Sequence, residues 1–166
     1  MNVTKLLDSH KVAYKVYEHA EVNDAQHLAA ALHIPGHNVA KSVMLCVNHG
    51  FEDVIVVLPA TEQVDLDRVS SLLGGATVWL ANEAEIARRC PDCEVGSLPP
   101  FGRQYGMRII VAESLARHED LFFASNNRRE SIRLAYDDFC MLEHPLVANV
   151  AKRRPHAATP SVALSG

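Results

Sequence analysis

Long hydrophobic runs are missing from this 166-residue chain. The longest, such as residues 54–59, hold only a few apolar side chains, far short of the ~20 needed to cross a bilayer. The N-terminus also lacks the apolar stretch of a secretion signal, because Lys5, Asp8, His10 and Lys11 interrupt it. The expectation is a cytoplasmic protein with no membrane partner. A large excess of one charge is absent too. Sixteen Lys+Arg face 20 Asp+Glu, a formal net charge of −4. That argues against a protein that coats nucleic acid indiscriminately, yet leaves room for a local basic pocket that grips one nucleic-acid end. Cysteine is scarce, with four residues at 46, 90, 93 and 140. Without a secretion signal they read as reduced thiols.

The common cofactor and nucleophile signatures are lacking as well. No G-x-G-x-x-G follows the first strand and no Walker A sequence occurs, which argues against a doubly wound nucleotide fold. No G-x-S-x-G is present, and Ser97 in Gly96-Ser97-Leu98 lacks the second glycine, so a serine nucleophile is unsupported. Cys90-Pro91-Asp92-Cys93 is a lone C-x-x-C. A structural zinc needs four ligands, and a thioredoxin-type motif opens a helix where this one follows one. His33 and His37 stand four apart, but Pro35-Gly36 breaks the helix that would align them. No metal and no cofactor is expected.

What is present is an ordinary globular composition, 48% apolar and 22% charged. It excludes a disordered chain or a fibre. The length suits one domain, read over residues 1–150, with a flexible Pro-, Ala- and Ser-rich tail over 151–166. Val3, Leu6, Leu7 and His10 predict an opening helix. Residues 14–18 alternate as a strand. Asn23 is the expected N-cap of a helix carrying Leu28, Ala29 and Leu32. Residues 39–47 and 54–58 flank Asn48-His49-Gly50 and predict a hairpin. Asp65 is expected to cap a helix through Leu73, and Asn82 with Glu85 to form a capping box for another. Residues 76–80, 108–112, 121–124 and 131–135 read as strands, and residues 137–143 as the last helix. The fold class expected is mixed α/β (α+β): a curled, largely antiparallel sheet of about seven strands with short surrounding helices.

Three groups of residues suggest chemistry. Lys41 lies in the apolar run 39–47, near a strand start, where a lysine can line a cleft and meet a phosphate. The same position also suits a lysine whose stem runs along the strand to water. The loop 96–102 sets Pro99, Pro100 and Phe101 between Gly96 and Gly102. A rigid loop of this kind can aim backbone N–H groups at a carbonyl oxygen, the available donors being Gly96, Ser97, Leu98, Phe101 and Gly102. A Cβ at Gly96 is expected to crowd a substrate or to forbid the loop's backbone dihedrals, and to reduce activity more than stability. Arg128, Arg129 and Arg133 form one basic cluster, and Lys152, Arg153 and Arg154 a second. Either is a solvated face or a phosphate contact.

The segment Val39-Ala40-Lys41-Ser42-Val43, together with Cys93 to Gly102 and its G-x-x-P-P-F-G loop, resembles the YbaK/ProX family. These are aminoacyl-tRNA deacylases related to the editing domain of bacterial prolyl-tRNA synthetase. The similarity continues through Tyr105-Gly106-Met107 to Asp137-Asp138-Phe139 and covers roughly residues 1 to 145. The resemblance implies the editing-domain fold. It also implies hydrolysis of the ester joining a wrong amino acid to a tRNA 3′ end, without metal or protein nucleophile. By the resemblance, Lys41 holds the terminal phosphate or adenosine, and Gly96, Ser97 and Leu98 shape the aminoacyl pocket. Ser42, Pro99, Pro100, Phe101, Gly102, Asn126, Asn127 and Arg128 join them as substrate-binding positions. The sequence departs from many relatives at Ala124-Ser125-Asn126-Asn127-Arg128, where Arg128 takes the place of the pocket histidine. Two readings follow. The first is a free-standing deacylase of mischarged tRNA, most simply tRNA(Pro) carrying Ala, Cys or Ser. The second is a non-catalytic module that binds tRNA ends or an aminoacyl-tRNA synthetase.

Overall fold

The computed structural model describes residues 2–48 and 52–154. Ten strands and five α-helices alternate along them. The chain opens with α1 (Val3–Ser9), capped by the Asn2 side chain, and β1 (Tyr14–Glu18). Next comes α2 (Ala25–Leu32). Its cap is Asp24, whose carboxylate accepts from His27 N at 2.8 Å, one residue after the expected Asn23. A 3₁₀ turn at Gly36–Asn38 leads into β2 (Ala40–Val47) and β3 (Val54–Pro59). These pair antiparallel as the predicted hairpin; residues 49–51 of its turn lie outside the described residues. Then follow β4 (Glu62–Val64), α3 (Leu66–Leu72) capped by Asp65, and β5 (Val78–Leu80). The helix α4 (Glu83–Arg89) carries the predicted Asn82–Glu85 capping box. Beyond it lie β6 (Arg108–Ala112), β7 (Asp120–Ala124), β8 (Glu130–Ala135), α5 (Tyr136–Glu143), β9 (Leu146–Ala148) and β10 (Ala151–Arg153).

The architecture is the expected mixed α/β one, with ten strands where seven were expected. The three additional strands, β4, β9 and β10, have three residues each. The strands form a five-stranded sheet β5-β2-β3-β6-β9, a three-stranded sheet β1-β8-β7 and the pair β10-β4. Pairing is antiparallel except for β3–β6 and β6–β9. An isolated bridge between Val39 and Phe122 joins the two larger sheets beside the start of β2. The tail expected to be flexible from Ala151 therefore begins as a strand, held by the register Ala151↔Val64 to Arg153↔Glu62.

The alternating side chains of β2 and β3 explain why both strands are so apolar. Ala40, Met44, Ile55 and Val57 face a core shared with Leu121, Phe123, Ile132 and Leu134 of the smaller sheet. Leu45, Val47, Val54, Val56 and Leu58 face a second core with Val69 of α3 and Val150. A strand covered on both faces reads as a continuous hydrophobic run rather than an alternating one. All six residues of β3 are buried accordingly. Among the described residues no helix is long and apolar enough to cross a membrane.

Candidate functional site

The start of β2 floors a cavity of about 250 Å³. Asn23, Asp24 and Leu28 at the head of α2 form one wall, and Glu83, Ile86 and Ala87 of α4 form another. Residues 93–98 and the turn before β8 complete the rim. Lys41, Ser42, Gly96, Ser97, Leu98, Asn127 and Arg128, all singled out from the sequence, line this one cavity.

Lys41 is half-buried on β2. Burial pushes its ammonium down to about 8; the charge of Arg154 adds to that shift, while Glu62 and Asp24 oppose it. Because β2 and β3 run antiparallel, Lys41 sits opposite Leu58, at the end of the sheet where β3 turns into β4.

The glycine-proline loop divides in two. Its first half faces the cavity. Gly96 holds φ at +81°, and a Cβ there would overlap the backbone carbonyl oxygen of Asn23. The glycine is thus required by the loop's left-handed dihedral, one of the two expected grounds, and by its packing on the α2 entrance. Ser97 is buried. Its N–H and hydroxyl both donate to the Glu94 carbonyl, at 3.1 and 2.7 Å. That removes Ser97 from the expected donors. The N–H groups of Gly96 and Leu98 meet no acceptor among the described residues.

The second half turns away from the cavity. Pro99, Pro100, Phe101 and Gly102 are buried and do not line it. Phe101 stands edge-on to Phe123 at 5.6 Å and Phe139 at 5.8 Å, in the middle of the first core. The Gly102 N–H donates to the carboxylate of Glu143, and its carbonyl accepts from Tyr105 N and Met107 N, both at 2.9 Å. These four positions, expected to touch substrate, instead anchor the loop to the core.

The altered segment is likewise split. Asn126 adopts φ +60°, which asparagine tolerates better than most residues. Its Oδ1 accepts from Val3 N at 2.8 Å and its Nδ2 donates to Cys93 Sγ at 3.4 Å, so it ties α1 to the loop wall and does not line the cavity. Asn127 does line it, with Oδ1 accepting from the N–H groups of Arg129 and Glu130. Arg128 reaches across the mouth. Its Nη1 donates to Glu21 at 3.1 Å and Asn23 at 3.4 Å, and its backbone N–H donates to Glu94 at 3.1 Å.

Three polar atoms in these walls are buried without a hydrogen-bond partner among the described residues: Arg128 Nε, which faces the Glu94 carboxylate at 3.8 Å, Ser42 Oγ and His19 Nε2. Unpartnered buried polar groups are rare in folded proteins. His19 escaped the reading of the sequence, since a lone histidine at a strand end carries no motif. Its Nδ1 lies 2.8 Å from the Ala20 carbonyl, which only accepts, so that nitrogen holds the proton and a neutral ring keeps its lone pair on Nε2. Cys93 also borders the cavity, against the Tyr105 hydroxyl at 3.5 Å. Burial raises its thiol pKa, and that of Cys90 to about 12. Among the described residues no group of three or more His, Cys, Asp or Glu is placed to hold a metal ion.

A family model for the aminoacyl-tRNA editing domain matches residues 19–142, about three quarters of the chain. The chain belongs to that family. It is 26% identical over 99 residues to the "Multifunctional Ser/Thr-tRNA deacylase ProXp-y" of Escherichia coli K12, covering 59% of each protein. It is 22% identical over 155 residues to the "Putative Cys-tRNA(Pro)/Cys-tRNA(Cys) deacylase EbsC" of Enterococcus faecalis, covering 92% of this chain and 93% of that one. The matched part thus spans about three fifths of the Escherichia coli protein's length. A crystal structure described as "a putative trans-editing enzyme for prolyl tRNA synthetase" superposes with a TM-score of 0.77 at 21% identity, over 90% of this chain and 94% of that one. A hypothetical protein of known crystal structure gives 0.82 at 16% identity, over 90% and 99%. These likenesses establish the editing-domain fold.

Proposed function

We propose that the protein is a trans-editing deacylase, hydrolysing the ester between an amino acid and the 3′ end of a tRNA. The observation that carries this reading is the sharing of one cavity by a half-buried cation, Lys41, and two uncommitted backbone donors, Gly96 N–H and Leu98 N–H. The ammonium suits the terminal phosphate. The two N–H groups suit the ester carbonyl oxygen, whose negative charge grows as water adds to the carbon. The tetrahedral adduct then collapses, the C–O bond to the ribose breaks, and the ribose oxygen leaves with a proton. An aminoacyl ester is already activated, so positioning and oxyanion stabilisation supply much of the acceleration. Arg128 Nε as donor, His19 Nε2 as acceptor and the Ser42 hydroxyl as either suit a ligand bearing both kinds of group, as an aminoacylated ribose does.

The substrate read from these features is a small amino acid such as Ala, Cys or Ser on tRNA(Pro). A cavity of about 250 Å³ supports a small amino acid, the name of the Escherichia coli relative supports Ser, and that of the Enterococcus faecalis relative supports Cys on tRNA(Pro). The second reading, a non-catalytic binder of tRNA ends or a synthetase, draws on Arg128, whose contacts with Glu21 and Glu94 tie two loops together over the cavity mouth. A panel of mischarged tRNAs, followed by acid-precipitable aminoacyl counts, separates the two. Protein-dependent loss of counts on at least one small-amino-acid tRNA is expected. Binding of tRNA with no loss on any member of the panel would leave only the binder.

A further inference from the structure

We propose that β10 and the residue after it form a phosphate track, in which Lys152, Arg153 and Arg154 hold the backbone of the nucleic acid whose 3′ end enters the cavity. The inference rests on the deacylase reading for the identity of that nucleic acid. It concerns a part of the chain that the family match over residues 19–142 does not reach.

The topology puts the cluster beside the site. Lys41 pairs with Leu58 and Ala40 with Pro59, so the cavity end of β2 coincides with the end of β3. After two intervening residues β4 begins, and its first residue, Glu62, is the partner of Arg153. Strand β10 therefore delivers its basic end to the Lys41 side of the sheet, where Arg154 lies close enough for its charge to act on the Lys41 ammonium.

Lys152, Arg153 and Arg154 are the one run of three consecutive basic residues in the sequence. Arg68, Arg89, Arg128, Arg129 and Arg133 each bridge a carboxylate. Lys152, Arg153 and Arg154 are exposed, and none of the three has an ion pair among the described residues. The acid opposite them, Glu62, accepts instead from the Ser114 hydroxyl at 2.8 Å. Three unpaired cations beside a half-buried fourth, on a chain of net charge −4, mark a local anion surface. A cavity that admits one nucleotide end must leave the following phosphates outside, and this surface lies on the Lys41 side of the sheet.

The test uses the full chain, wild type and the triple variant Lys152→Gln/Arg153→Gln/Arg154→Gln, with uncharged tRNA as the probe and fluorescence anisotropy at several salt concentrations. Each lost phosphate contact lowers the slope of log K against log salt by about 0.7–0.9, so the triple variant should lose about 2 from the slope and bind more weakly at low salt. In deacylation, the loss in kcat/KM on aminoacyl-tRNA should exceed the loss on a 3′-aminoacyl-adenosine at least tenfold and fall mainly on KM. Equal affinity and slope in the two proteins would overturn the track. So would an equal loss on both substrates, which would place the effect in the cavity. If the wild type hydrolyses no ester, the deacylase reading fails while the binding comparison still decides the track. Should the triple variant melt early, Arg154→Gln alone, outside the strand, carries the same comparison with an expected slope change near 1.

Discussion

If Lys41 meets the terminal phosphate as an ammonium, deacylation must fail as that ammonium loses its proton. Its pKa of about 8 leaves it about 90% charged at pH 7 and about 10% charged at pH 9. The parameter kcat/KM reports the free enzyme and should fall about tenfold between those two values. A bound phosphate stabilises the charged form, so kcat should hold to a higher pH. The substrate's own α-amino group titrates in the same region, and Lys41→Arg separates the two causes. A guanidinium stays charged beyond pH 12, so the falling limb disappears in that variant if Lys41 sets it and remains if the substrate does. Initial rates on aminoacyl-tRNA, with spontaneous hydrolysis subtracted at each pH, give the profile. Stability runs the other way. The unfolded lysine, near 10.5, holds its proton more tightly than the folded one, so stability rises as pH climbs from about 8 to 10.5. Lys41→Met should therefore melt no lower than wild type at pH 7 while losing most of its turnover. A flat kcat/KM up to pH 9.5, or an unchanged limb in Lys41→Arg, would refute the phosphate role.

Gly96→Ala forces an L-residue to φ +81° and a Cβ onto the Asn23 carbonyl. The left-handed backbone alone costs about 1–2 kcal/mol, a fall of about 2–8 °C in melting temperature for a domain of this size; wild-type melting would show that the loop relaxes freely. Phe101→Ala should cost about 3–5 kcal/mol in urea unfolding, whereas unchanged stability with a raised KM would return Phe101 to the substrate pocket. Burial lifts the Glu143 carboxyl from 4.5 to about 7. Its stabilising contribution is thus complete below pH 4.5 and lost as pH rises through 7. Glu143→Gln should match wild type near pH 4.5 and melt higher at pH 8, and equal melting at pH 8 would count against a buried, destabilising carboxylate.

Local chemistry was readable in the sequence; long-range pairing was not. Asp65 and the Asn82–Glu85 box mark helix starts because a cap is an interaction within four residues. At α2 two good capping residues are adjacent, and the carboxylate of Asp24 takes the role expected of Asn23. Strands β4 and β10 are too short to show alternation and exist through their pairing with each other across some ninety residues. The parallel partner of β3, strand β6, comes without any turn signal. At the site, Lys41 and Gly96 were legible from residue type and neighbours. Phe101 was not, because a glycine-proline loop has the same composition whichever way its aromatic ring points. Nor was the clasp of Arg128 on Glu21, which joins positions 107 apart.

The C-x-x-C pair behind the cavity wall is chemically quiet by construction. Peroxides and alkylating reagents attack the thiolate, and a thiol held near 12, like that of Cys90, is ionised to only about one part in 10⁵ at pH 7. Burial moves Cys93 in the same direction, although it borders the cavity. Low nucleophilicity keeps Cys93 available as the acceptor for Asn126 Nδ2, the contact that ties the wall to the segment capped against α1. Oxidation of that sulfur would add polar oxygens between the loop and Asn126 and pull apart two of the elements that give the cavity its shape. The same burial that raises both thiols thus slows attack on the sulfur that holds the wall to Asn126.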